Sequence, residues 1–143
     1  MVYRICKSIV IESGHLLSKH AGKCRFPHGH SRRVDVVLAA ERLDDNDMVW
    51  DFKALKTAMQ AVLEAWDHAL CINTEDPQYP FFSGTYGTRV LAFEEEDPTS
   101  EVMARTLFER WKDDLGAAGL PPGVKLERVR VTETDSSWAE YGE

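Results

Sequence analysis

Two segments with helical apolar periodicity, set between β-type runs, limit this chain more than any other feature. In "DFKALKTAMQAVLEAW" (51–66), Phe52, Leu55, Met59, Val62, Leu63 and Trp66 recur at the spacing of one helix face, and Asp51 suits the N-cap. A second helix is predicted over about 98–115, with Val102, Met103, Leu107, Trp111 and Leu115 as its stripe. Asp97 or Thr99 would cap it, since Pro98 suits a first helical turn, and Gly116 and Gly119 end it. Residues 3–12, 31–42 and 125–134 are rich in β-branched types and read as strands, with a fourth at "SSWAEY" (136–141). "LDDND" (43–47) is a turn cluster, and 73–98 reads as a long loop with a short strand at "RVLAF". Strands outside and helices between predict an α+β fold, an antiparallel sheet carrying helices on one face.

The 143 residues predict one domain, 1–143, with 43% hydrophobic and 29% charged side chains. No apolar run is long enough to span a bilayer and no secretory signal is evident, so no membrane association is expected. Three widely spaced cysteines, Cys6, Cys24 and Cys71, predict reduced thiols and a cytoplasmic protein. The net charge of −7 argues against nucleic acid as a partner. Yet residues 1–33 carry seven basic side chains against one acid, while the remainder carries 10 against 23. Lys19, Lys23, Arg25, Arg32 and Arg33 would thus meet a polyanionic small molecule or form a solvated face.

That basic region contains "CRFPHGH" (24–30). On a strand His28 and His30 project to the same side, with Gly29 leaving room between them for a ligand or metal. A catalytic zinc commonly takes three protein ligands and keeps one position open. His15, at the end of the first strand, is the natural third, because that strand can pair antiparallel with the second through 16–27. The alternative is a surface His-x-His without function. Cys24, between Lys23 and Arg25, has surroundings that favour a thiolate, or else it is a packed thiol. Asp67 beside His68 suits an oriented acid/base imidazole, although adjacent side chains often face apart. Glu133 shares a strand face with Val129 and Val131. It would either reach water or grip a ligand with two parallel N–H donors, such as a guanine or pterin ring.

Five motifs in order, "CRFPHGHS", "MVWDFKALK", "WDHALCIN", "DPTSEVMARTLF" and "RVTET" with a final "YGE", resemble the 6-pyruvoyltetrahydropterin synthase / 6-carboxytetrahydropterin synthase family. The resemblance covers about 10–72 and 97–143. It implies the tunnelling fold, with two antiparallel strand pairs flanking two helices and subunits closing into an oligomeric barrel. It further implies a homohexamer of stacked trimers, with active sites between subunits. On the matching positions it makes His15, His28 and His30 ligands of Zn2+. Cys24, Asp67 and His68 become the proton-relay group, Glu133 the pterin anchor, and Thr99, Ser100 and Glu101 further substrate contacts.

Within the family, the cysteine four residues before His-Gly-His and "PTSEVMAR" favour the carboxy-forming enzymes. Those convert 7,8-dihydroneopterin triphosphate to 6-carboxytetrahydropterin, acetaldehyde and triphosphate on the route to queuosine. The alternatives are the 6-pyruvoyl product of the biopterin route, a pterin-binding protein without catalysis, and a structural zinc protein. "ESGH" before the first ligand, Trp66 before Asp-His and the long 75–97 segment depart from the family pattern.

Overall fold

The computed structural model describes residues 1–143. Strands β1 (Tyr3–His15) and β2 (His28–Ala40) pair antiparallel along their whole length, from Tyr3 opposite Ala40 to His15 opposite His28. Side chains alternate across the ladder, so odd residues of β1 and even residues of β2 share one face. That face is apolar at one end, where Ile11, Val34, Val36 and Leu38 are buried, and polar at the other, where the histidines lie.

Helix α1 (Phe52–Trp66) covers the apolar end. Asp51 accepts the Ala54 amide at 3.0 Å and so satisfies one of the orphan donors of the first turn. The chain then turns at His68, whose φ of 59° is left-handed, and enters β3 (Ala69–Asn73) beside β1. After α2 (Tyr79–Tyr86) it forms β4 (Val90–Phe93). Helix α3 (Ser100–Ala117) follows, then β5 (Val124–Thr134) and β6 (Ser137–Gly142). The sheet runs β4-β3-β1-β2-β5-β6, with β1–β3 and β3–β4 parallel and the other pairs antiparallel.

Helices α1 and α3 pack their stripes against the inner face of β1, β2 and β5 in one apolar cluster. Trp111, Leu55 and Met59 of the helices and Val129 and Val131 of β5 are fully buried in it. Such burial contributes about 1.5–3 kcal/mol for each large side chain. No helix is long and apolar enough to cross a membrane.

The α+β layout of outer strands and central helices is as expected, but the sheet is mixed, not wholly antiparallel, because β3 and β4 join it in parallel, and a third helix, α2, is present. Thr99, not Asp97, caps α3, accepting the Val102 amide at 3.2 Å. Gly116 lies inside that helix, which ends before Gly119, a residue with φ 94°. The segment expected as a loop holds the end of β3, all of α2 and β4. Helix α2 buries no residue, so it has no apolar stripe to read. Strand β3 is five residues long and follows α1 after two residues, without the turn types that would have marked it.

Candidate active site and metal centre

The polar end of the inner face is built by parity. His15 of β1 stands opposite His28 of β2, and Ser13 opposite His30. The three imidazoles form a triangle with ring centroids 4.5, 5.2 and 5.1 Å apart. One ring nitrogen from each lies within 4.8 Å of the others. His15 is fully buried; His28 and His30 are partly exposed.

Their hydrogen bonds fix which nitrogen is free. Nδ1 of His15 donates to the Pro98 carbonyl at 2.8 Å, and Nδ1 of His28 to the Phe26 carbonyl at 2.7 Å. A proton held on Nδ1 leaves the Nε2 lone pair unprotonated, the usual state of a metal-binding imidazole. Nε2 of His30 is buried without a hydrogen-bond partner. An orphaned buried nitrogen facing two other imidazoles fits a divalent metal, and nitrogen-only donors fit zinc well. Burial, followed by the effect of neighbouring cations, lowers the pKa of His15 to about 4, so the ring stays neutral at physiological pH. Burial and the Arg32 charge lower His30 as well.

Glu133 joins the cluster from β5. Its Oε1 is 3.6 Å from His15 Nε2 and 3.5 Å from His30 Nε2. Regular pairing of β5 with β6 is interrupted between Thr132 and Thr134, and such an irregularity re-aims the side chain it carries. Ser100, at the start of α3, donates to Glu133 Oε1 at 3.4 Å. Of its neighbours, Thr99 uses its hydroxyl on the helix cap and Glu101 is exposed in the first turn.

The other expected site residues are not bonded to this cluster. Cys24 sits in a single 3-10 turn (Lys23–Arg25), half-exposed, where its carbonyl accepts the Leu17 amide at 2.9 Å. Asp67 and His68 do form a pair, with His68 Nδ1 3.1 Å from Asp67 Oδ2. Both are pinned to the edge of β1: Asp67 Oδ1 accepts the Glu12 amide at 2.8 Å, and the His68 amide donates to the Glu12 carbonyl at 2.7 Å. That amide bond, more than the imidazole, lowers the Asp67 pKa. His68 borders a shallow cleft that Gly14, Gly29 and His30 also line. No hydrogen bond or ion pair joins Cys24, the Asp67–His68 pair and the imidazole cluster within one chain.

Two expectations are corrected. Gly29 does not leave room for a metal; it faces the opposite side of the sheet. A Cβ there would meet the Ser13 carbonyl oxygen at 3.3 Å, so the glycine allows close approach of the strands. Arg32 is not available to a polyanion, because it is 1% exposed and faces the histidines. Arg33, its neighbour, points outward toward Asp35. The parity that puts His28 and His30 together also puts Arg32 on their face, so this was readable. The Pro98 carbonyl behind His15 has no signature in sequence.

With this geometry in view, comparison with known proteins decides the family. The sequence model of 6-pyruvoyl tetrahydropterin synthase matches residues 4–143. The chain belongs to that family of enzymes. It is 32% identical to the 6-carboxy-5,6,7,8-tetrahydropterin synthase of Aquifex aeolicus, covering 100% of this chain and 99% of that one. It is 34% identical to the Synechocystis protein of the same name, over 96% of this chain and 91% of that one. Among solved structures, an uncharacterized protein of Wolinella succinogenes superimposes with a TM-score of 0.83 at 23% identity, covering 100% and 99% of the two chains. The 6-pyruvoyl tetrahydropterin synthase of Caenorhabditis elegans gives 0.70 at 24%, covering 100% and 96%. The last two establish the shared tunnelling fold.

Proposed function

We propose that this family member is a zinc-dependent lyase. Its substrates would be 7,8-dihydroneopterin triphosphate and one water, and its products 6-carboxytetrahydropterin, acetaldehyde and triphosphate, in the cytoplasmic route to queuosine. The observation that carries this reading is the triangle of His15, His28 and His30 with the Glu133 carboxylate beside it. The names of the curated relatives support the carboxy product over the 6-pyruvoyl one.

His15, His28 and His30 would hold the zinc through Nε2, and the bound ion would supply Lewis acidity to the hydroxyl-bearing side chain of the substrate. Glu133 accepts the two parallel N–H donors at the edge of the pterin ring, as a carboxylate does for any such pair. Thr99, Ser100 and Glu101 border the ring at the start of α3. The Cys24 thiolate removes a proton from a C–H of the substrate side chain. His68, oriented by Asp67, returns a proton to the substrate. Lys19, Lys23 and Arg25 remain available to the triphosphate.

Cys24 and the Asp67–His68 pair do not meet in one chain, which supports a homo-oligomer, a hexamer, in which a neighbouring subunit completes each site. Incubation with 7,8-dihydroneopterin triphosphate tests the reading: acetaldehyde and triphosphate should appear together. Triphosphate without acetaldehyde would indicate the 6-pyruvoyl product. Neither product would leave a zinc-holding pterin binder or a structural zinc protein.

A further inference from the structure

Arg32 occupies a position where the strand pattern calls for an apolar side chain. The next inward residues of β2 are Val34, Val36 and Leu38, all buried. Arg32 is itself 1% exposed, and its Nε–H has no acceptor. Burying a guanidinium is costly unless its donors are satisfied, and replacing buried ionic groups by apolar ones is often neutral or stabilising. The fold therefore gives no reason for an arginine here, and its contacts supply one.

Nη1 donates to Ser100 Oγ at 3.0 Å. Nη2 lies 3.1 Å from each ring nitrogen of His15, against the flank of the imidazole, and 3.6 Å from Glu133 Oε1. Ser100 in turn donates to that same carboxylate oxygen. The guanidinium thus reaches Glu133 by charge and, through the serine hydroxyl, by a chain of two hydrogen bonds. Glu133 is the acid that faces it within this cluster, and it sits where the β5–β6 ladder is irregular, so strand pairing does not hold the carboxylate in place.

We propose that Arg32 is a positioning residue for ligand recognition: through Ser100 and its own charge it aims the Glu133 carboxylate at the paired N–H edge of a pterin. This rests on the reading of Glu133 as the ring anchor. Arg32, fully covered, does not touch the ligand and acts only through the acid.

The test is a double-mutant cycle on the zinc-loaded full chain, with 7,8-dihydroneopterin as the probe and affinity read by fluorescence titration. Arg32→Leu should weaken binding about tenfold in the natural background and less than about twofold when Glu133→Gln is already present. Arg32→Lys, which keeps the charge without the planar fork, should recover part of the loss. Ser100→Ala cuts the same relay without touching the buried strand, so it reports if Arg32→Leu folds poorly. It too should weaken binding more when Glu133 is intact than when Glu133→Gln is present. Zinc content should stay near one per chain in each variant. Equal losses in both backgrounds, or unchanged affinity in Arg32→Leu and Ser100→Ala, would overturn the role of Arg32 while leaving a Glu133→Gln effect standing. No effect of Glu133→Gln, or no binding by the natural protein, would instead remove the ring-anchor reading and the proposal with it.

Discussion

The imidazole of His15 has one nitrogen committed to the Pro98 carbonyl and the other turned toward His28 and His30. Its burial has a measurable cost in acid. An unfolded histidine titrates near 6.5, and His15 in the metal-free fold near 4. Between those values the unfolded chain binds more protons, so stability is complete above pH 6.5 and falls as the pH drops toward 4. The loss should approach about 3 kcal/mol. Denaturant titrations of chelator-treated protein at pH 7 and pH 4.5 would show it, and His15→Gln should flatten the difference. Cys24→Ala bears on the chemistry instead. Turnover should vanish while zinc stays near one per chain; undiminished turnover would remove the thiol from the mechanism.

At the scale of elements, the region 73–99 clamps the site from behind. Asp97 is buried and accepts the Asn73 side-chain amide at 3.0 Å and the Lys19 backbone amide at 2.8 Å, while Ser18 bonds Asp76. The connection that carries Cys24 is thereby tied to Asp97, directly before Pro98, and to Asp76. Asp97→Ala would leave two donors without partners, which costs about 1–3 kcal/mol for each buried group. The thermal midpoint should fall by several degrees and zinc affinity with it, because the Pro98 carbonyl that orients His15 is adjacent. A lowered midpoint with unchanged zinc affinity would confine Asp97 to the fold. None of this clamp was legible beforehand. The β1–β2 pairing and both long helices were, because alternation and a 3.6-residue stripe are local signals. The histidine triangle was legible because strand parity and one hairpin-like pairing bring its members together. Helix α2 and strands β3 and β4 were not, since an exposed helix and two short parallel strands depend on partners distant in sequence.

The whole molecule ends its sheet on two open edges, β4 and β6. Unpaired edge strands invite another chain, and the scattered Cys24 and Asp67–His68 sites call for one. The proposed hexamer predicts a solution mass near six times the 16.2 kDa of the chain. It also predicts that an inactive mixture of Cys24→Ala and His68→Ala homo-oligomers regains activity after subunit exchange. The proposed metal centre nonetheless needs only a single chain: three imidazoles on one sheet face would grip one metal. X-ray absorption of the zinc-loaded protein measures this most directly. One zinc per chain is expected, with three imidazole nitrogens at about 2.0–2.1 Å, and no binding by His28→Ala. Sulfur in the coordination shell, or zinc retained at full affinity by His28→Ala, would contradict it.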